Sequence, residues 1–249
     1  MLNQKSKIMK NPFLFVVLAL TIIVTSLFQK TSAQTSAEVM TKAIAFHDPQ
    51  QKWADYSGKV HLMTIFSNGN SSGGEIIEIQ TKEGFYQTTK LASKVVMGIK
   101  NGECFREVDG NKNPDEDVIK KYNLGDENIN VYKNWHYFHF GILMELKASG
   151  LILEDKVETI KFQGEDCLAM KFSYDVNKAT NEFYKGSNWT VYIDPVNFTI
   201  KGFKEVGVMN RYAVFSGILT LNGLKLPLCR TYFKNEDNSF YMVDIFMLQ

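Results

Sequence analysis

Two histidines in an unusually aromatic segment are the residues whose type and spacing most readily suggest chemistry. The segment "VYKNWHYFHFGIL" covers residues 131–143 and holds His136 and His139 among five aromatic side chains. Residues three apart share one face of a helix, so the two imidazoles could supply two ligands to a metal ion in a hydrolase. Such a site needs a third ligand, which His47, Asp48 or His61 could provide only through the tertiary fold.

A second interpretation of this segment is an apolar lining. On a helical wheel, residues 128–147 are apolar or aromatic almost all round, which is typical of a buried helix, although the β propensity of "WHYFHF" leaves a strand open. A histidine inside such a cluster is more often a hydrogen-bonded core or cavity residue than a ligand. We therefore predict no metal and no catalytic residue, but a set of side chains that line or plug a cavity for a hydrophobic ligand. That set is Trp135, Phe138, His139, Ile142, Leu143 and Met144.

Other chemical signatures are absent from the sequence. It has no GxSxG, no HExxH and no glycine-rich phosphate loop after a strand, so we predict no cofactor. Cys104, Cys167 and Cys229 are far apart and lie outside any CxxC pair. We expect three small buried residues on strands, and a disulfide between two of them is the alternative.

The first 33 residues read as an export signal rather than as part of the fold. Three lysines precede an apolar run over residues 12–28, and small residues at 31–33 suit cleavage before Gln34. An uncleaved anchor is the alternative, but the run is shorter than the roughly 20 residues that a span prefers. No cysteine at this point offers a site for lipid attachment. We expect a periplasmic or secreted product with no stable membrane span after cleavage.

Charge and length narrow the class of partner. The whole chain has a formal charge of +1, and cleavage would remove four lysines and no acidic residue, which leaves −3. Because no Lys/Arg-rich patch stands out, we expect no nucleic-acid partner. Residues 34–249 are long enough for one domain with a sizeable core.

Most of the remaining sequence is predicted to form the β-sheet that positions the aromatic segment. Alternating patterns and the Asn-Gly pairs at 101–102 and 222–223 predict an antiparallel meander of about ten strands. Several strands, such as residues 241–248, are apolar on both faces, so helices, a fold-back of the sheet or a ligand must cover the second face. Since long sheets curl, the predicted fold class is mainly β (α+β): a strongly curved antiparallel sheet or incomplete barrel.

Three helices are predicted to cover that sheet. The first covers Ser36–His47, with Ser36 as its cap, Asp48-Pro49 at its end and His47 favoured in its charged form by the helix dipole. A short helix is expected over residues 113–124 and a longer one over 125–150. The N-terminal helix and this central insertion are expected on the concave face of the sheet.

Four phrases, taken together and in order, resemble an uncharacterised family of secreted proteins and lipoproteins of Gram-negative bacteria. They are "KAIAFHDPQQKW" (42–53), "VYKNWHYFHFGILMELKASG" (131–150), "WTVYIDPVNF" (189–198) and "LNGLKLPLCRTYF" (221–233). Such proteins are similar in architecture to lipoprotein carriers of the LolA type. The resemblance implies a single LolA-like curved-sheet domain over residues 34–249, closed by helices around an apolar cavity for acyl chains.

Three functions remain open from the sequence. The first is an exported soluble binding protein whose partner is a hydrophobic small molecule, a lipid or a lipoprotein acyl chain. The second is a non-catalytic structural or interaction module of the cell envelope, with the cavity filled by its own side chains. The third is a metal-dependent hydrolase that uses His136 and His139. Fold alone does not choose among them.

Overall fold

Thirteen antiparallel strands form one sheet in a computed structural model that describes residues 34–147, 150–175, 177 and 186–247. The strands lie in the order β5-β4-β3-β2-β1-β13-β12-β11-β10-β9-β8-β6, and β7 pairs with β8 as well. Among the described residues no pairing joins β5 to β6, so the sheet stays open. The predicted fold class is confirmed. The signal segment, residues 1–33, lies outside the described residues.

The strands outnumber the ten that were predicted because some are short. β6 has three residues and becomes recognisable only through its pairing with the end of β8. The bounds are β1 Ser57–Phe66, β2 Glu75–Gln80, β3 Phe85–Lys90, β4 Val95–Lys100, β5 Glu103–Val108, β6 Leu151–Leu153, β7 Glu158–Phe162, β8 Glu165–Tyr174, β9 Asn188–Ile193, β10 Ile200–Val206, β11 Arg211–Leu221, β12 Leu224–Lys234 and β13 Phe240–Met247.

The first helix, α1 (Ser36–His47), begins one residue away from the predicted cap. Thr35, not Ser36, caps it: the Thr35 Oγ1 accepts the Glu38 N–H at 3.2 Å, and the Glu38 carboxylate accepts the Thr35 N–H at 3.0 Å. This reciprocal pair is a capping box, and it satisfies two donors that a helix start leaves free. Asp48 ends the helix as predicted.

His47 is neutral, so the prediction of a charged imidazole at the end of α1 is wrong. Its Nε2 accepts the Ile200 N–H at 3.0 Å, which places the ring proton on Nδ1, 2.6 Å from the Lys225 carbonyl oxygen. Burial lowers the pKa of His47, and the Lys225 charge lowers it further against the opposing backbone hydrogen bond. Removal from water therefore outweighs the helix dipole here.

The central insertion forms two helices, α2 (Glu116–Tyr122) and α3 (Asp126–Gly141). α3 ends well before residue 150, contrary to the prediction, and a 3₁₀ turn over Glu145–Lys147 follows. At this end of the helix, Arg230 of β12 donates to the His139 carbonyl oxygen. In a continuing helix that oxygen would accept the N–H of residue 143.

α1 and α3 cover the concave face of the sheet. Alternation along the strands turns large apolar side chains to this face, and the main core joins them to both helices. Phe138 of α3, for example, lies 4.7 Å from Trp189 and 5.9 Å from Phe203, measured between ring centroids. Val39 and Ala43 of α1 are fully buried in the same core.

All three cysteines lie on strands, as predicted, and are free thiols. Cys167 is buried on β8 as predicted, whereas Cys104 on β5 and Cys229 on β12 are half-buried, so the prediction of burial is wrong for these two. Cys167 belongs to a small cluster on the other face of the sheet, where the Phe162 and Tyr192 rings stack with centroids 3.9 Å apart.

Candidate ligand-binding site

Of the six predicted lining residues, the first and the last, Trp135 and Met144, each line a cavity. Trp135 lines a cleft between α3 and the sheet, and Met144 lines a groove between α1 and the turn after α3. The four residues between these ends are buried in the core and line neither of the two cavities. They are Phe138, His139, Ile142 and Leu143.

The cleft at Trp135, called the inner cleft below, has a volume of about 330 Å³. Its polar side chains gather because the strand register pairs Thr64 with Asp244 and Glu75 with Lys90 on the concave face. The lining residues are Leu62, Thr64, Phe66, Ser72, Glu75, Lys90, Tyr132, Trp135, His136, Met242 and Asp244. The inner cleft thus combines an aromatic and aliphatic wall with two carboxyl groups and one ammonium.

Hydroxyl groups hold the two carboxyl groups of the inner cleft. Thr64 Oγ1 donates to Asp244 at 2.6 Å, and Thr88 Oγ1 donates to Glu75 at 3.1 Å. Burial raises the pKa of both carboxyl groups, against the opposing effect of the Lys90 charge on Glu75 and of the Thr64 hydrogen bond on Asp244. Desolvation disfavours the ionised form of each.

The Lys90 ammonium is held by α3 rather than by a carboxylate. It donates to the Tyr132 hydroxyl at 3.2 Å and lies 4.4 Å from the centroid of the same ring. The described ion pairs do not include one between Lys90 and Glu75 or Asp244. A cation over an aromatic face is stabilised by the ring quadrupole.

The two histidines of α3 are neutral and serve different partners. His136 Nδ1 lies 2.7 Å from the Tyr86 hydroxyl, and His139 Nδ1 lies 2.7 Å from the Trp135 carbonyl oxygen. Burial lowers the pKa of His136 to about 3, with further lowering by the Arg230 and Lys90 charges. Burial and Arg230 also hold the pKa of His139 well below its usual value.

The other residues that could have completed a metal site do not lie beside His136 and His139. His47 is engaged with β10 and β12, and Asp48 accepts the backbone N–H groups of Lys52 and Trp53 at 2.7 and 2.9 Å. In the part of the chain that the structure describes, no group of three or more His, Cys, Asp or Glu side chains is placed to hold a metal ion. The geometry gives the hydrolase alternative no third ligand.

Arg230 is a central residue that sequence reasoning missed. It is 1% exposed, faces Asp244 in the strand register, and lies 4.2 Å from the centroid of the Phe246 ring. Its bond to the His139 carbonyl places a cation at the C-terminal end of α3, where the helix dipole favours positive charge. An arginine at an inward position of the alternating strand "LKLPLCRTYF" was the available signal.

The groove at Met144, called the helix groove below, has a volume of about 510 Å³. Met40 and Ile44 of α1 form one wall, and Trp53 and Met144 form the other. Trp53 is fixed by a hydrogen bond from its Nε1 to the Glu145 carboxylate at 2.8 Å. Methionine side chains adapt to irregular apolar partners, so this wall suits a flexible hydrocarbon.

A larger groove of about 820 Å³ lies beside the edge strand β5 and contains none of the predicted residues. Residues of β3, β4 and β5 and the segment before α2 line it, and three of its side chains are basic: Lys100, Arg106 and Lys112. Arg106 forms an ion pair with Asp126. The groove adjoins α3, because the Tyr137 hydroxyl donates to the carbonyl oxygen of its lining residue Phe85 at 3.3 Å.

Solved structures resemble this fold over nearly its whole length. A LolA superfamily protein from Nitrosomonas europaea is 11% identical with a TM-score of 0.52, and the match covers 87% of this chain and 93% of that chain. A putative outer membrane lipoprotein-sorting protein domain from Vibrio parahaemolyticus is 9% identical with a TM-score of 0.48, covering 85% and 89% of the two chains. The first likeness confirms the predicted LolA-like fold, and at such identity it shows the fold alone.

Other comparisons fix the family but not an activity. No curated protein matches the chain. Among the residues that the structure describes, every helix falls short of the length and apolar character that a membrane-spanning helix needs. The profile of a family of unknown function, DUF6503, matches residues 12–208, which is most of the sequence. The predicted likeness to an uncharacterised family is therefore confirmed, and the chain belongs to this family of unknown function.

Proposed function

We propose that the protein is an exported binding protein that carries a hydrophobic ligand, in the class of lipids and lipoprotein acyl chains. The observation that supports this most directly is the pair of cavities at the two ends of one buried segment, residues 135–144. Both volumes, about 330 and 510 Å³, lie within the range of about 300–1,000 Å³ that is common for ligand sites.

The six predicted residues have two roles in this proposal. Trp135 and Met144 contact the ligand in the conformation described here, because they line the inner cleft and the helix groove. Phe138, His139 and Leu143 with Ile142 fill the space between the cavities, and a ligand that joins both would have to displace them. Burial of a hydrocarbon contributes about 0.8 kcal/mol per methylene, so about eight methylenes give about 6 kcal/mol without any catalytic group.

Export is part of the proposal and rests on residues 1–33. The chain is expressed at full length in a Gram-negative host, and the product is recovered from the periplasm or the medium. We expect an intact mass that corresponds to a chain beginning at Gln34. A product that keeps residues 1–33 would contradict cleavage.

Methionine variants test the proposed site. Met40 is half-buried in the helix groove, and Met63 is half-buried on the outer face of β1, where it is a matched control. Met40→Gln should weaken the binding of a neutral fluorescent probe such as N-phenyl-1-naphthylamine about fivefold, since about 1 kcal/mol of apolar contact is lost. Met63→Gln should leave the affinity unchanged. Equal affinities in the two folded variants would remove the helix groove from the proposal.

The second candidate is the structural or interaction module. Its specific support is the burial of Phe138 and Leu143, both with no exposed surface, in the middle of the concave face. Under this alternative the segment fills the sheet permanently, and neither cavity takes up a probe. The probe experiment therefore separates the two candidates.

A further inference from the structure

We infer that the inner cleft receives the head group of an amphiphile, and that this head group is a protonated amine. The inference rests on the proposed function, because it names the chemical class of the carried ligand. It is carried by the arrangement of Glu75 and Asp244 around the cleft and by the aromatic side chains that face them.

The two carboxyl groups have cations beside them but form no ion pair with them among the described residues. Asp244 is 3% exposed and Glu75 is half-buried, and neither belongs to an ion pair among the described residues. Each accepts a hydrogen bond from a threonine hydroxyl, and the Tyr232 hydroxyl also stabilises the charged form of Asp244. A carboxylate withdrawn from water is unfavourable unless a cation and hydrogen-bond donors compensate it, and a bound ammonium would supply both.

The protein's own nearby cations are committed elsewhere. Lys90 donates to Tyr132, and Arg230 donates to the His139 carbonyl oxygen at the end of α3. Lys90 is the cross-strand neighbour of Glu75, and Arg230 is that of Asp244, so their charges favour the two carboxylates without forming an ion pair with either. The acceptor capacity of the cleft is therefore not used up by the side chains around it.

The wall of the cleft also suits a cation with a hydrocarbon tail. Tyr132 and Trp135 of α3 face the polar end, and the Lys90 ammonium already lies over the Tyr132 ring. An organic ammonium can use the same kind of contact. Leu62 and Met242 continue the wall as an apolar surface for the tail.

An anionic head group fits less well. Lys90 is the one basic side chain in the lining of this cleft, and an anion there would face both Glu75 and Asp244. It would need both carboxyl groups protonated as well as release of Lys90 from Tyr132. The cleft therefore favours an amine over a carboxylate or phosphate of the same chain length.

Proton release should accompany the binding of an amine. The ionisable groups near the two carboxyls are Lys90 and Tyr86 on β3, Arg230 and Tyr232 on β12, and His136 and Tyr132 on α3. Burial keeps His136 neutral and raises the pKa of Tyr86 and Tyr232, so the carboxyl groups are the ones that change charge. An incoming ammonium stabilises their ionised form, and affinity should fall as the pH is lowered through their raised pKa values.

A matched ligand series tests the inference with the exported protein. Dodecylamine, dodecanol and dodecanoate are titrated separately at pH 7 by isothermal calorimetry, the two ionic ligands below their micelle concentrations and dodecanol below its solubility limit. We expect dodecylamine to bind about tenfold tighter than dodecanol, because a hydrogen bond between charged groups contributes about that factor. Dodecanoate should bind more weakly than either.

Two variants test whether Glu75 and Asp244 produce the preference for the amine. Glu75→Gln and Asp244→Asn should each reduce the preference for the amine over the alcohol to about threefold or less. Glu78→Gln is the matched control, because Glu78 is on the same strand but pairs with Lys59 on the other face. If Asp244→Asn fails to fold, Glu75→Gln at its half-buried position still decides the question.

The outcomes separate the inference from the proposed function. An equal affinity for amine and alcohol, or a preference for dodecanoate, overturns the inference while the carrier function stands. The same holds if Glu78→Gln reduces the amine preference as much as Glu75→Gln does. Failure of all three ligands to bind overturns both the carrier function and the inference.

Discussion

Gly141→Ala should destabilise the protein because the helix end has no room for a side-chain carbon. A Cβ at Gly141 would lie 2.3 Å from Cζ2 and 2.6 Å from Cε2 of Trp53. The indole cannot yield cheaply, since its Nε1 donates to Glu145 and its ring stacks on Tyr56 at 5.7 Å between centroids. Trp53 is also 9% exposed, so few alternative positions are open to it.

The expected magnitude follows from two opposing effects. Alanine is better than glycine inside a helix by about 1 kcal/mol, and less at the last helical residue. Overpacking costs about 1–3 kcal/mol, and loss of the hydrogen bond to the Glu145 carboxylate adds about 1.5 kcal/mol. We expect the free energy of unfolding to fall by about 2 kcal/mol.

Urea denaturation measures this change, and a second variant identifies its cause. The denaturation midpoint of Gly141→Ala should drop while the slope stays the same. Adding Trp53→Phe removes the atoms that the new Cβ would strike, so alanine at position 141 should cost less in that background. A single variant as stable as the original protein, or no rescue in the Trp53→Phe background, would refute the steric account.

Three further predictions concern stability. Thr35→Ala should lower the free energy of unfolding by about 1 kcal/mol, whereas Ser36→Ala should change it by less than about 0.5 kcal/mol. If urea denaturation shows a larger loss for Ser36→Ala than for Thr35→Ala, the observed cap is contradicted. The Glu205 carboxylate accepts three backbone N–H groups in the loop after β10. Glu205→Gln should therefore lower the free energy of unfolding by about 2 kcal/mol and speed proteolysis of this loop. An unchanged rate of proteolysis would contradict this role. Stability should fall as the pH drops below about 6.5, since His136 is neutral in the fold with a pKa of about 3 and takes up a proton when unfolded. The fall between pH 7.5 and pH 5 should be smaller in His136→Gln, and an equal fall in that variant would contradict the assignment.

Turns and strands were predictable because their determinants are local. The two-residue loops at 101–102, 163–164 and 222–223 each join adjacent strands, and all six residues have positive φ. Asn-Gly and similar pairs adopt this conformation readily and set the register of a hairpin. Alternation then assigns each side chain to one face without any knowledge of the tertiary fold.

The end of α3 was not predictable because its determinants are distant in sequence. The Arg230 side chain takes the carbonyl oxygen of His139, 91 residues earlier in the chain. Trp53 packs on Gly141 from before β1. Helical periodicity continues past Gly141 in the sequence, and these tertiary contacts lie where the helix ends.

The candidate site was predictable only in its apolar part. The aromatic segment correctly indicated a helix, which is buried at His136 and from Phe138 onward but not at Val131, and it could not show that cavities open at Trp135 and Met144. The carboxyl groups of Glu75 and Asp244 went unnoticed because each belongs to a strand that reads as ordinary core. Asp244 in the apolar run "YMVDIFML" was the signal, since a buried strand seldom holds an unpaired acid.

The central claim is that the exported protein carries a hydrophobic ligand, and its native mass tests this most directly. The full-length chain is expressed, and the exported product is purified without detergent and measured under native and denaturing conditions. The account predicts a native mass that exceeds the denatured mass by one lipid-sized molecule, which organic extraction then recovers. A native mass equal to that of the bare chain, together with no uptake of N-phenyl-1-naphthylamine, would contradict it.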